Sequence, residues 1–500
     1  MNVARLGKEN LERFGEYTSL IFEGKEYTNV EMDRWSNKVG NALKSLGVKR
    51  GDRVVIQLPN CPEVVVSFGG IFKIGALVVP LSFLYTAEET AYIYQDATPV
   101  VVISATEFME KVSHGKAATP SIKHVISVDE APDTLLFRDI VDKSSDKLEM
   151  EDTADEELAA LIYTAGTTGR PKGVMLSHEA LYANAKGQYE FNKGSIVPGS
   201  VGLSSLPLSH SYGMALMNTA SLFGTRGVLL RWFNTEDIFD AIQKYKVNIT
   251  TQVPTMFVYQ NMYPEAKKYD LSSMKFWISG SAPLSEETRK EFESKYPGKV
   301  YQGWGLTEAG ANNCCCPFDK PYKPGSIGKP LNCEMKVMDE NDNEVKVGEI
   351  GEIVLKGPVV MSGYWNKPEE TKEALQRGWL RTGDMGYMDE DGYFFIVERK
   401  KNMIIKAGEN IFPREIEEVV YQHSKVSEAA VIGVPDQIYG EELKAFIVLK
   451  PGEKATEQEI IDFCGGKLSS FKTPKYVQFL DSLPKNPVGK ILYKELRKMG

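Results

Sequence analysis

The chain has few cysteines, few histidines, no excess of positive charge and no long uninterrupted apolar run. Six cysteines in 500 residues do not make a disulfide framework. Three of them, Cys314, Cys315 and Cys316, are consecutive, and no C-x-x-C spacing occurs. Reduced thiols in a cytoplasmic protein are the expectation, with the triple run as a pocket wall or core strand. Lys+Arg is 59 against Asp+Glu 68, a formal charge of −9. That argues against a nucleic-acid partner. The N-terminal segment has no apolar core of the kind a secretory signal needs. The most apolar stretch, 64–85, is interrupted by Lys73, Gly75 and Pro80. It reads as a buried helix and strand, not a transmembrane span. The 25% charged and 42% hydrophobic residues fit an ordinary globular chain, long enough for several packing units.

What is present has an alternating rhythm. Apolar runs at 53–58, 76–81, 100–104, 227–231, 248–252 and 275–279 read as strands. Amphipathic segments at 63–74, 87–95, 237–245 and 284–296 read as helices. This alternation predicts doubly wound parallel α/β layers, and the length allows two. After about Pro317 the texture becomes antiparallel, with short strands at 348–356, 379–381, 386–388 and 393–397. A basic cluster, Arg399-Lys400-Lys401, precedes a small α+β pattern. It has helices at 413–421 and 457–467 and strands at 429–434, 443–449 and 476–480. The boundary is placed at 399–402.

The sharpest local signal is LIYTAGTTGRPKGVMLS, 161–177. A buried-looking strand runs into a loop of small and hydroxylated residues. Thr164, Gly166, Thr167, Thr168 and Gly169 offer N–H groups and hydroxyls with little bulk, as wrapping phosphate oxygens requires. Lys172 adds a mobile charge. An ordinary Gly/Thr hairpin turn is an equal alternative on the loop alone. It is not a Walker A loop, because Pro171 sits where a helix would begin.

The stretch resembles the phosphate loop of the AMP-forming acyl-CoA synthetases and their adenylating relatives, with Ala165 where Ser is usual. Further matches follow in family order across essentially the whole chain. YQGWGLTE, 301–308, resembles the adenine-and-metal segment: Gln302, Gly303, Trp304 and Gly305 beside adenine, Thr307 on the α-phosphate, and Glu308 with Thr164 on Mg²⁺, a cation suited to hard oxygen ligands. SGSAPL resembles the adenine-side turn, with Ser281, Ala282 and Pro283. RTGD resembles the segment whose Asp, here Asp384, receives ribose hydroxyls, and Arg399 resembles the second ribose contact. NPVGK resembles the C-terminal motif whose lysine, here Lys490, steadies the α-phosphate. Tyr493 stands where Arg is frequent. PLSHSYGM resembles the lining of the acid and CoA channel, with His210 at the gate. Relatives that activate amino acids carry Asp there, so an amino acid is not expected. Each motif alone has a bland reading, as a turn, a surface acid or a tail lysine; their ordered co-occurrence carries the resemblance.

The resemblance implies a fold and a reaction. The fold is a large N-terminal part (1–399) of two α/β layers plus a β-rich subdomain. It is joined by a hinge at 400–401, pivoting on Lys401, to a mobile α+β domain (402–500). The reaction ligates a carboxylic acid to coenzyme A through acyl-AMP, using ATP and Mg²⁺ and releasing AMP and pyrophosphate. Lys490, His210, Thr307 and Glu308 are the catalytic expectation, and Ala407 and Gly408 are assigned to the CoA tunnel. Acyl-pocket candidates are His210, Tyr212, Met214, Ala215, Met217, Ser281, Gly303, Ala311 and Asn312. None of these residues is Lys or Arg, which favours an apolar monocarboxylic acid: fatty, aromatic or alicyclic. A long acyl chain would bring the protein to a membrane surface without spanning it. The alternatives are an adenylating enzyme that loads a carrier protein and a non-catalytic sensor. Neither the acid nor the oligomeric state is readable.

Overall fold

A computed structural model describes residues 1–164, 170–485 and 491–500. Its first sheet has eight strands. The parallel centre is Leu77–Pro80, Arg53–Gln57, Val101–Ser104 and His124–Ser127. These are short runs of Val, Leu and Ile, buried on both faces as parallel strands covered by helices are. Helix Pro62–Lys73 connects two of them, and helix Ala87–Ala97 follows. Thr86 and Glu89 form a capping box that fixes where the second helix starts. At one edge, Leu158–Thr164 pairs antiparallel with Lys172–Ser177.

The second sheet has fourteen strands. Arg226–Leu229, Val201–Ser204, Ile249–Gln252, Phe276–Ser279 and Lys299–Trp304 are parallel neighbours. The sheet then continues antiparallel through Cys314–Cys315, Ser326–Pro330, Phe394–Arg399, Trp379–Met388, Gly351–Lys356 and Glu334–Met338. The β-rich region predicted after Pro317 is thus an extension of the second layer. One expectation is corrected here: 379–381 and 386–388 are a single strand, Trp379–Met388. The chain bulges against Gly351–Lys356 between its two halves, and Gly383 takes φ 70° there. Thr382 Oγ1 donates to Ile353 O at 2.6 Å, which keeps the bulge paired. Asp384 lies beside it.

Beyond the basic cluster, a five-stranded sheet is built on the hairpin Val426–Asp436 and Gly440–Leu449. Helices Pro413–Tyr421 and Glu457–Gly465 pack on it through Ile416, Val420, Ile460 and Cys464. This core is separate from that of the rest of the chain.

Candidate functional site

Segments far apart in sequence meet at the carboxyl ends of the parallel strands of the second sheet, where open α/β sheets bind ligands. Strand Lys299–Trp304 delivers Trp304, whose Nε1 donates to Asp384 Oδ2 at 2.9 Å. Asp384 is buried, and its other oxygen is ion-paired with Arg399 Nε. Asp384 and Arg399 are register partners on neighbouring strands. The bulge turns the carboxylate toward Trp304 instead of leaving it along the ladder. An aromatic ring beside a carboxylate–guanidinium pair can receive a flat base and a vicinal diol. Gln302 is buried, and its Nε2 donates to the Tyr322 hydroxyl at 2.8 Å. The turn Ser281-Ala282-Pro283 lies between strand Phe276–Ser279 and helix Glu286–Lys295.

The same strand leads on to Thr307 and Glu308. Thr307 is buried, with its hydroxyl 2.9 Å from Ser211 Oγ, so the 301–308 segment is tied to the start of helix Ser211–Phe223. Glu308 accepts a 2.9 Å hydrogen bond from the Tyr364 hydroxyl. Tyr364 in turn stands beneath Lys172, whose Nζ is 5.1 Å from the ring centre. Burial, and then the Glu308 charge, raise the Tyr364 hydroxyl far above its ordinary pKa and keep it a donor. Thr164 and Lys172 are register partners. Gly166, Thr167, Thr168 and Gly169 lie outside the described residues, as does Lys490. Glu308 and Thr164 are the hard-oxygen donors that would hold Mg²⁺. Tyr364 was not anticipated: SGYWNKP carries no period and no charge pattern, and only the pairing of Gly363–Tyr364 with Val174 and Met175 brings it here.

On the acid side, His210 is the N-cap of helix Ser211–Phe223, its Nδ1 accepting from Tyr212 N at 3.2 Å. A cavity of about 340 Å³ opens beside Tyr212 and Asn312 and runs under this helix. Gly213 and the run from Leu216 to Ser221 line it. Met214 is fully buried in the main core, while Ala215, Gly303 and Ala311 stand outside the lining. Asn312 is held by a buried amide chain, donating to Gln188 Oε1 at 2.9 Å, while Gln188 donates to Asn184 at 2.8 Å. Cys315 lines the cavity; Cys314 and Cys316 are buried beside it. Burial pushes the Cys316 thiol up to about 11. Among the described residues, no group of three or more His, Cys, Asp or Glu is placed to hold a metal.

Three non-glycine residues among the candidates have left-handed backbone: Ser281 (φ 70°), Ala311 (φ 94°) and Ala407 (φ 53°). Such conformations are strained and persist where the surroundings enforce them. At Ala311 the cause is visible. A Cβ on Gly305 would meet Ala311 O at 1.5 Å, so the backbone crosses itself there. Ala407 and Gly408 form the exposed tip of the hairpin Ile404–Lys406 and Glu409–Ile411. A Cβ on Gly408 would meet nothing, which fits a surface left open for a thin pantetheine arm. Lys406 is buried and ion-paired with Glu442. Lys401 sits in a 3₁₀ turn, and its carbonyl accepts from Arg497 at 3.1 Å.

Comparison with known proteins gives concordant findings. A family model described as AMP-binding enzyme matches residues 7–365, and one described as AMP-binding enzyme C-terminal domain matches 415–490. A long-chain-fatty-acid–CoA ligase of Bacillus subtilis is 38% identical, over 98% of this chain and 92% of its own length. A 4-coumarate–CoA ligase of Solanum tuberosum is 35% identical over 98% and 92%. The crystal structure of ATP-bound MatB from Rhodopseudomonas palustris superposes with a TM-score of 0.92 at 30% identity, covering 100% of this chain and 99% of that one.

Proposed function

The chain belongs to the AMP-binding enzyme family and is an AMP-forming carboxylic acid–CoA ligase, and from that premise we propose that its acid is an apolar monocarboxylate with a fatty tail. ATP, Mg²⁺ and CoA are its co-substrates and cofactor. The observation that carries the proposal is the lining of the 340 Å³ cavity beside Tyr212. The surface it exposes is mostly apolar, though Asn, Ser and Thr side chains also border it. Its one cation, Lys73, is spent on Asp33, Ser36 and Asn37, each at 2.6 Å. A second carboxylate would be buried there unpaired, which costs several kcal/mol, whereas each buried methylene gains about 0.8 kcal/mol. The ring acid in the name of the potato relative leaves aromatic acids as the competing class.

In this reading the work is positioning and charge stabilisation. The acid carboxylate attacks the α-phosphate of ATP, and pyrophosphate leaves. Trp304, Asp384 and Arg399 hold the nucleoside, Thr307 donates to the α-phosphate, and Lys490 steadies its added charge. Glu308 and Thr164 hold Mg²⁺, which neutralises the phosphates when bound. The C-terminal domain, 402–500, then turns about Lys401, withdrawing Lys490 and bringing Ala407 and Gly408 to the CoA side. The CoA thiol displaces AMP. The test is pyrophosphate release across straight-chain acids from C2 to C16, benzoate, cyclohexane carboxylate and adipate. Hexanoate should exceed adipate by orders of magnitude, and acetate should be poor. Adipate equal to hexanoate, or acetate as the best acid, would overturn the reading.

A further inference from the structure

The geometry points to Gly202 and Gly227 as the residues that set acyl-chain length, by opening the floor of a channel for a straight chain of about fifteen carbons. This rests on the fatty-acid reading above and adds the size and shape of the tail.

The two glycines are register partners on adjacent strands, Val201–Ser204 and Arg226–Leu229. Their neighbours Val201, Leu203 and Val228 pack into the core with Trp277 and Phe239, although Leu203 and Val228 also border the cavity. Both glycines line the cavity. Glycine weakens the interior of a strand, so its use there asks for a reason. Backbone crowding is not that reason. A Cβ on Gly202 would meet nothing nearer than Ile249 Cγ2 at 3.8 Å, and one on Gly227 only Ser19 O at 3.4 Å. Gly213, on the helix above, differs: a Cβ there would meet Pro207 O at 2.3 Å. Neither strand glycine has positive φ. What the missing side chains leave is space on the cavity side.

The channel crosses the sheet from Ile278, past Ile249, Gly202 and Gly227, to Leu20. These are four inter-strand steps of about 4.8 Å, or about 19 Å. A chain of single bonds advances about 1.2 Å per bond, as an extended backbone does over its three bonds per residue, which gives about sixteen carbons. Volume gives a similar answer. A cavity of about 150 Å³ takes one benzene, six carbons. By that measure 340 Å³ takes about fourteen. Past Leu20 the cavity meets polar groups that satisfy one another, Asn10 donating to the Tyr17 hydroxyl and Asn29 to Asn10, each at 2.9 Å, before its lining continues to Met32 and Phe72. A ring acid would fill only the first part.

The steps assign each glycine a distance. Gly202 lies two steps from Ile278, about 10 Å or eight carbons, and Gly227 three steps, about 14 Å or twelve carbons. Gly202→Val should therefore cap the usable chain near C8, and Gly227→Leu near C12. The experiment measures kcat/KM for pyrophosphate release with C6 to C16 acids in the wild type and both variants. The expected result is a wild-type optimum at C14–C16 and a loss of about 100-fold at C16 in both variants. At C12, Gly202→Val should lose as much while Gly227→Leu stays within about threefold. Hexanoate should stay within about threefold in both, which also shows that the variants fold. A uniform loss at every length, an unchanged profile, or the same cut-off in both variants would overturn the assignment. Absence of activity with every apolar acid in the wild type would instead overturn the fatty-acid reading itself.

Discussion

Replacing Glu417 by glutamine should make the stability of the C-terminal domain less dependent on pH. Glu417 lies on helix Pro413–Tyr421, buried against strand Val426–Asp436 and the last helix. Its Oε1 accepts from Val431 N at 2.8 Å and from the Tyr493 hydroxyl at 3.0 Å. Burial, and then the charge of Glu398, push the carboxyl up to about 8, against the pull of Val431 N–H, Tyr493 and Arg414. Glu418 and Tyr421 share its helix, and Glu428 on the facing strand is paired with Lys485. The folded chain therefore keeps a proton that the unfolded chain releases above about pH 4.5. The stabilisation is complete below that pH and is lost as pH rises toward 8. The limiting slope is about 1.4 kcal/mol per pH unit, so from pH 5.5 to 7.5 the wild type should lose about 2.7 kcal/mol, a 100-fold change in local opening. Glutamine keeps the acceptor and carries no titrating proton. All six tryptophans precede residue 400, so fluorescence does not report this domain. Hydrogen exchange of peptides from 413 to 449 does. The protection ratio of variant to wild type should rise about 100-fold between pH 5.5 and 7.5. A ratio that stays constant refutes the argument.

Asp384→Asn should raise the KM for ATP by about 10- to 100-fold, the scale of losing charge-assisted bonds to a ribose, with the KM for the acid within twofold; steady-state kinetics checks both. Tyr364→Phe removes the donor to Glu308 and should alter the Mg²⁺ concentration for half-maximal activity by about fivefold, the worth of one hydrogen bond, as a Mg²⁺ titration would read. Lys490→Ala should slow acyl-AMP formation by about 100-fold or more while sparing thioester formation from pre-made acyl-AMP, measured as separate half-reactions. Lys401→Pro should do the reverse, because a fixed φ at the pivot blocks the turn between steps; normal acyl-CoA output would remove Lys401 from that role.

The parallel layers were legible because their strands are short, apolar and evenly interleaved with amphipathic helices, a pattern set by local burial on both faces. What was not legible depends on register. The single strand Trp379–Met388 looked like two because Thr382-Gly383-Asp384 reads as a turn, and only the partner strand shows that it is a bulge. Tyr364 reaches Glu308 through an edge pairing that no local pattern announces. On helix Ser211–Phe223 the residues from Leu216 to Ser221 all border the cavity, while Met214, chosen from its place after His210, turns into the core. Tyr493 was visible as a departure from a frequent arginine. Its consequence, a buried Glu417 bonded to a phenol where a cation is usual, needed the fold.

The bonds that assemble the site come from different segments in each case. Ser211 meets Thr307, Tyr364 meets Glu308, and Trp304 and Arg399 meet on Asp384. Tyr364–Glu308 ties the edge of the first sheet to the second, and the others tie separate elements of the second layer together, so the site's framework is braced before any substrate arrives. The polar links across residues 399–402 are of another kind. Arg414 donates to Glu398 at 3.2 Å through its backbone and to the Ile396 carbonyl at 2.9 Å through its guanidinium, Arg497 reaches the Lys401 carbonyl at 3.1 Å, and Glu286 N reaches Glu418 at 3.4 Å. All but the last, the longest, fall on residues 396–401. The C-terminal sheet keeps its own apolar core of Ile404, Ile416, Val431 and Ile447. A unit that carries its own core can turn without exposing that core, as the proposed rotation about Lys401 requires; in that proposal one nucleotide site serves two reactions in sequence.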